Sequence, residues 1–154
     1  MADPLKTGWA SLSEVFEVVR SVWSSGKLMG IRISAAGCDD PGWPLDESVV
    51  FSGELKQLGC DFIDCSTGGN SPKRPPGGPV HRGYQVPFVE DIHRNSGIPT
   101  IAVGMLRDSS LAEGIVSQGK ADLIALSPWD TLRYTMAWHA AEELCADASY
   151  TKRV

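Results

Sequence analysis

Apolar residues along the chain follow two kinds of spacing, and each kind predicts a different element. Between residues 12 and 24 they recur every three or four positions, which is the pattern of an amphipathic helix. Four short, nearly continuous apolar runs have the length and flanking residues of buried strands. The predicted strands cover 28–34, 61–66, 99–103 and 122–126, and the further predicted helices cover 45–58, 86–96, 109–118 and 131–146.

This order, one helix followed by four strand–helix units, predicts an α/β fold with a parallel sheet. Strands that alternate with helices are joined by right-handed crossovers. A complete (β/α)8 barrel needs about 250 residues, whereas the chain has 154. We therefore predict half of a TIM barrel with four parallel strands, and a flavodoxin-like open sheet is the alternative. The chain is expected to be a single domain, 1–154, with the half-barrel over 12–145 and flexible tails at 1–11 and 147–154.

Composition narrows the classes of partner. The formal net charge of −5 argues against non-specific nucleic-acid binding. No apolar run approaches the roughly 18 residues of a membrane span, and the chain does not start like a signal peptide. We therefore expect a cytoplasmic protein without nucleic-acid or membrane partners. The cysteines lack the paired spacing of a structural zinc site, so no metal is predicted and free thiols are expected at Cys38, Cys60, Cys65 and Cys145.

The carboxyl ends of the strands are where both architectures bind ligands. Arg32 lies inside an otherwise apolar strand, where a charge is costly unless it is paired. It therefore either contacts an anionic ligand or forms an ion pair with Asp64 on the neighbouring strand, and the sequence leaves both open. Gly104, after the third strand, would allow a phosphate to approach the backbone, although glycine is also common in ordinary turns.

A long segment rich in proline and glycine, 68–84, follows the second strand. Its length exceeds that of a simple connection, and its basic residues could close over an anionic ligand or remain a solvated loop. Among the three histidines, only His81 has a position suited to an active-site loop. The chain contains neither a G-x-G-x-x-G nor a P-loop sequence.

Several strings of residues together resemble the C-terminal half of the old yellow enzyme family. These FMN-dependent NAD(P)H oxidoreductases reduce activated alkenes. GYQVPF and the helix after it are most similar to the bacterial class of xenobiotic reductases and NADPH dehydrogenases. The resemblance covers about 12 to 145, and the strings are IRISA (31–35), GCDFIDCSTGG (59–69), GYQVPF (83–88), IPTIAVGM (98–105) and ADLIAL (121–126).

The resemblance implies an FMN-containing barrel, to which this chain would contribute strands five to eight. It also implies roles for particular residues. Arg32 would contact the flavin ring near its N1/C2 carbonyl edge, where a cation stabilises negative charge on the reduced ring. Gly104 would bind the FMN phosphate through its amide, and Ser127 occupies the phosphate-binding position after the last strand. A candidate active-site loop at the mouth of the site comprises His81, Arg82, Tyr84 and Gln85.

The chain departs from the family pattern in two respects. It is expected to lack the N-terminal half, which carries the substrate-binding histidines and the proton-donor tyrosine, so no catalytic residue is assigned. Pro128 stands where the family has a phosphate-binding arginine, which would weaken phosphate binding by roughly 1.5–3 kcal/mol. We therefore expect the FMN-binding half of an NAD(P)H-dependent ene-reductase-type oxidoreductase that is weakly active or inactive as an isolated chain.

Two other functions remain open. The chain could be a non-catalytic half-barrel or interaction protein that has lost flavin, or a binder of another small phosphate-containing ligand. Four parallel strands in a row leave two unpaired edges, which favour pairing with another chain. The predicted partners are a second copy, forming a pseudo-complete barrel, or a separate N-terminal half-barrel.

Overall fold

The computed structural model describes residues 4–38, 42–68, 73, 78–126 and 136–147. Within these ranges the chain forms five helices and four strands. The helices are α1 (Pro4–Val22), α2 (Leu45–Gln57), α3 (Val86–Ser96), α4 (Ser109–Ser117) and α5 (Met136–Glu143). The strands are β1 (Gly30–Ser34), β2 (Phe62–Ser66), β3 (Thr100–Ala102) and β4 (Leu123–Ile124).

The four strands form one parallel sheet in the order β1-β2-β3-β4. Each strand therefore pairs with the next in sequence, and α2, α3 and α4 connect neighbouring strands. A flavodoxin-like sheet has the order 2-1-3-4-5, in which the winding direction reverses. The observed order does not reverse, and it is that of a barrel wall. The prediction of an α/β half-barrel is confirmed, and the flavodoxin-like alternative was wrong.

Alternate strand residues point to opposite faces of the sheet. One face packs against the helices and forms the core with residues such as Ile63, Cys65 and Ala102, all of which are buried. The opposite face, here called the inner face, would line the interior of a complete barrel. By strand register the inner face comprises Gly30, Arg32, Ser34, Phe62, Asp64, Ser66, Ile101 and Leu123.

The ring of Phe62 covers the inner face at the N-terminal ends of β1 and β2. Gly30 and Phe62 are register partners on β1 and β2. A Cβ added at Gly30 would overlap the Phe62 ring. A side chain at position 30 would therefore have to displace the Phe62 ring, which lies across the neighbouring strand.

Two aspartates, one before β2 and one before β4, hold the N-terminal ends of the strands in the same way. Asp61 Oδ2 accepts a hydrogen bond from the Met29 N–H, and Asp122 Oδ2 accepts one from the Thr100 N–H, each at 2.7 Å. Each carboxylate also lies near a nitrogen of a helix side chain, and Arg20 donates a hydrogen bond to its aspartate. Arg20 Nη1 lies 3.3 Å from Asp61, and the Nδ1 of His93 lies 3.2 Å from Asp122. We call these two arrangements the aspartate clips.

Helix α1 starts earlier than predicted. It begins at Pro4, a residue suited to a first helical position because its missing N–H needs no partner there. Residues 4–11, predicted as part of a flexible tail, are helical instead. The physical reason is Trp9, which is 2% exposed, packs against Trp43 and Phe51, and donates a 2.6 Å hydrogen bond from its indole to Glu54.

The remaining boundaries differ little from the prediction. The helix predicted over about 86–96 is α3, whereas β1, β3 and β4 are shorter than their predicted spans. Of the predicted C-terminal tail, 148–154 lies outside the described residues, as does 131–135 of the last predicted helix.

None of the helices in the described ranges is long and apolar enough to cross a membrane. All four cysteines are free, and burial raises the pKa of Cys65 to about 12.

Candidate functional site

Arg32 and Asp64 form an ion pair at the centre of the inner face. They are register partners on β1 and β2, and Arg32 Nη1 lies 2.8 Å from Asp64 Oδ2. The sequence left open whether Arg32 contacts an anionic ligand or pairs with Asp64, and the structure shows the ion pair. The Arg32 side chain is nevertheless 57% exposed. A guanidinium carries five N–H donors, so a pair of this kind can still bind a further acceptor.

The other oxygen of the Asp64 carboxylate is buried. Asp64 Oδ1 has no hydrogen-bond partner among the residues that the structure describes. An unsatisfied buried acceptor costs about 1–3 kcal/mol. The carboxylate therefore holds Arg32 with one oxygen and keeps acceptor capacity on the other.

Two serines lie one register step above this pair, at the carboxyl ends of β1 and β2. Ser34 Oγ donates to the Gly68 carbonyl at 3.0 Å, and Ser66 Oγ donates to the Ile33 carbonyl at 3.1 Å. The backbone pairing of the two strands continues beyond them, since the Ala35 N–H donates to the Ser66 carbonyl at 2.7 Å. The rim of the site beside Arg32 is therefore small, polar and well ordered by backbone hydrogen bonds.

Gln85 joins the ends of β2 and β3. Its side chain is buried, and its Nε2 donates to Thr67 Oγ1 at 3.0 Å. Gly104 has a φ of +119°, and a Cβ there would lie 3.1 Å from Gln85 Oε1. The Gly83 N–H in turn donates to the Gly104 carbonyl at 2.8 Å. Gly104 is thus explained by its backbone conformation and by the close approach of Gln85, and Gln85 fastens the loop to the sheet.

The other members of the candidate loop lie near the start of α4. His81 is exposed, with its ring 6.4 Å from the half-buried Tyr84 ring. Arg82 Nη1 lies 3.7 Å from Asp108 Oδ2, and Asp108 also caps α4 by accepting a 2.9 Å hydrogen bond from the Leu111 N–H. The structure therefore brings His81, Arg82, Tyr84 and Gln85 onto one turn beside β3, while Arg32 lies on β1.

Three further residues follow the ends of β3 and β4 in the sequence. Ser127 and Pro128, the predicted phosphate position, lie outside the described residues. Met105, which sequence reasoning did not single out, has a φ of 57° and is partly exposed directly after Gly104. A residue with a side chain adopts this conformation rarely, and such residues cluster at functional sites. Methionine gives no sequence signal for a left-handed backbone.

Comparison with known proteins decides the family. Residues 10–128 match the model of the NADH:flavin oxidoreductase / NADH oxidase family. The chain belongs to this family. The match includes all four strands and both residues of the central ion pair, and it confirms the resemblance to old yellow enzymes.

Several NADPH dehydrogenases are similar to this family member. That of Geobacillus thermodenitrificans is 41% identical over 115 residues, which is 75% of this chain and 32% of the relative. That of Bacillus subtilis is 39% identical over 119 residues, covering 73% and 32% respectively. That of Listeria monocytogenes serotype 4a is 35% identical over 141 residues, covering 92% and 40%. The chain therefore spans between a third and two fifths of the length of these relatives.

Proposed function

We propose that this chain is the FMN-binding part of an NAD(P)H-dependent oxidoreductase of the ene-reductase type, acting in the cytoplasm. The observation that carries the proposal is Arg32. Its guanidinium stands on the inner face at the middle of β1, one register step below the serines at the carboxyl ends, is held by Asp64, and remains more than half exposed. The names of the relatives, NADPH dehydrogenases, support a nicotinamide reductant.

The residues of β1 and β2 fit the ring of a flavin. Arg32 would hold the N1/C2 carbonyl edge, because a planar cation can donate two hydrogen bonds in the plane of the ring. Asp64 would fix the guanidinium in that orientation through the 2.8 Å contact. When bound, FMN supplies the hydride-transfer chemistry, and the protein supplies binding, orientation and charge.

We expect this chain to hold the phosphate group of FMN less tightly than members of the family that have the arginine. Gly104 would offer its amide, and Ser127 would offer its hydroxyl and N–H. Pro128 offers neither a cation nor an N–H, so the bidentate contact that an arginine makes with phosphate is lost. FMN would therefore be bound mainly through its ring, and the expected affinity is lower than in a protein with the arginine.

Catalysis needs groups that the proposed role does not assign to this chain. Alkene reduction requires a proton donor and residues that bind the activating group of the substrate. The chain covers only a third to two fifths of the relatives, whose remaining length can supply such groups. We therefore propose that the isolated chain binds FMN and oxidises NADPH slowly or not at all.

The test is retention of FMN by the purified chain through gel filtration, read from the flavin absorption band. Arg32→Ala should abolish retention, and Arg32→Lys should restore it only in part, because lysine has no bidentate fork. Arg94→Ala is the matched control, since Arg94 is an exposed arginine paired with Glu90 on α3, away from the inner face. If the unsubstituted chain retains no flavin at micromolar concentrations, or if Arg94→Ala abolishes retention equally, the proposal is refuted.

One observation favours a second candidate function. Pro128 removes the phosphate contact, as expected of a half-barrel that has lost its cofactor and acts as a non-catalytic interaction protein. A cooperatively folded chain that retains no FMN would support this role. Binding of inorganic phosphate without FMN would instead support a different phosphate-containing ligand.

A further inference from the structure

The charged side chains on the inner face of the described strands are one cation and one anion. Among the inner-face residues only Arg32 and Asp64 are charged, and the others are apolar residues, serines and a glycine. The two are register partners, with Nη1 of Arg32 2.8 Å from Oδ2 of Asp64. A ligand that reaches this face therefore meets both groups together, and their charges sum to zero.

The Asp64 carboxylate is the more enclosed of the two groups. Its side chain is 21% exposed against 57% for Arg32, and its Oδ1 is buried without a hydrogen-bond partner in the described ranges. The neighbouring serines do not solvate it, because Ser34 and Ser66 donate their hydroxyl hydrogens to backbone carbonyls. Arg32 is therefore the group that balances the negative charge of Asp64 on this face.

The ion pair occupies only part of the guanidinium. The contact uses Nη1 of Arg32, and Nε and Nη2 donate no hydrogen bond to the residues that the structure describes. A planar guanidinium can donate two parallel hydrogen bonds from one such edge. This edge fits a flat ring with neighbouring acceptors, such as N1 and the C2 carbonyl of a flavin, while Asp64 keeps Nη1.

We propose that Asp64 is a positioning residue that acts through Arg32 and lowers the reduction potential of the bound flavin; this inference rests on the proposed function. Reduction by two electrons and one proton leaves the flavin ring one charge more negative. A cation beside N1 favours that reduced form. A carboxylate fixed against the cation opposes this effect, because its field at the ring has the opposite sign. The potential with Asp64 present is therefore lower than Arg32 alone would give.

The experiment compares the reduction potential of FMN bound to the unsubstituted chain and to three Asp64 variants. FMN binding is followed by the change in flavin fluorescence, and the potential is read from the flavin absorption in equilibrium with a reference dye. Asp64→Asn keeps an acceptor for the guanidinium and removes the charge. It should tighten binding of reduced relative to oxidised FMN by about tenfold or more, which raises the two-electron potential by about 30 mV or more. Asp64→Ser, also neutral, should raise the potential too, whereas Asp64→Glu should leave it close to that of the unsubstituted chain.

Glu90→Gln is the matched control. Glu90 also pairs with an arginine, Arg94, at 2.6 Å, and its side chain is 23% exposed, close to the 21% of Asp64. It lies on α3, whereas Asp64 lies on the inner face. Glu90→Gln should therefore leave the potential unchanged, although it removes the same charge from the chain. Circular dichroism should show all variants folded, and a loss of stability alone does not move the potential of a bound flavin.

The outcomes separate this inference from the proposed function. If FMN is retained but has the same potential in both neutral Asp64 variants as in the unsubstituted chain, the inference is overturned and the proposed function stands. An equal rise in Glu90→Gln would overturn it as well, because the effect would not come from the inner face. Loss of FMN from the neutral Asp64 variants alone would show that the carboxylate only holds the guanidinium in place. If neither the unsubstituted chain nor these variants retain FMN, both the proposed function and the inference are refuted.

Discussion

Replacing Arg32 or Asp64 tests how strongly the inner face depends on their ion pair. Arg32→Met keeps much of the aliphatic stem and removes the charge, and Asp64→Asn keeps the shape of the carboxylate. The pair lies on adjacent strands at 2.8 Å, with Arg32 57% and Asp64 21% exposed. Arg32→Met therefore leaves a mostly buried carboxylate without its cation.

The loss in the free energy of unfolding that we expect from Arg32→Met lies between two known cases. An exposed ion pair contributes about 0.2–1 kcal/mol, and breaking a buried pair costs about 3–5 kcal/mol. Because only the carboxylate is largely buried, we expect Arg32→Met to lower the free energy of unfolding by about 1–2 kcal/mol. For a domain of this size the melting temperature should fall by about 2–8 °C. Asp64→Asn should cost less, because it also removes the charge around the unsatisfied oxygen.

The assay is a double-mutant cycle by urea unfolding, followed by circular dichroism. The double variant should be more stable than the sum of the single effects predicts, by about 1 kcal/mol, since the two side chains are in direct contact. Additive effects, with a coupling under roughly 0.3 kcal/mol, would refute the reasoning and show that the pair is not formed in solution.

Two further predictions concern single residues. Gly104→Ala should destabilise the fold by about 1–3 kcal/mol, because a side chain at a φ of +119° is strained and would crowd Gln85. Thermal unfolding measures this loss of stability. An unchanged unfolding midpoint would contradict the prediction. Burial raises the pKa of Cys65 from 9.0 to about 12, so the folded chain keeps a proton there that the unfolded chain loses. This contribution to stability is complete below pH 9 and is lost as the pH rises from 9 toward 12. Unfolding of Cys65→Ala against pH should show a smaller loss in that interval, and an identical pH dependence would argue against it.

The sequence predicted an element best where proline or glycine residues fix the ends of that element. Helix α3 was predicted at about its observed span, because Pro87 lies in its first turn and Gly97 ends it with a left-handed backbone at a φ of 63°. The start of α1 was missed because it depends on Trp9 meeting Phe51 of α2, a contact between residues far apart in sequence. Apolar spacing within a helix carries no information about such a partner.

In the candidate site, too, the sequence did not reveal contacts between residues that are far apart along the chain. The sequence named Arg32 and Asp64 but left open whether they pair, since pairing depends on the register of β1 against β2. It placed Gln85 in a loop, whereas only the fold shows that loop fastened to the ends of β2 and β3. Ser127, the extent of the domain and the choice of partner stay predictions.

The aspartate clips recur after two strand–helix steps. One clip joins β1 to β2 and the other joins β3 to β4, each through a carboxylate that follows the intervening helix. The junction between β2 and β3 is held instead at the opposite end of the sheet, where the Gln85 side chain donates a hydrogen bond to Thr67. Each junction between neighbouring strands of this wall therefore has its own side-chain fastening in addition to the backbone hydrogen bonds.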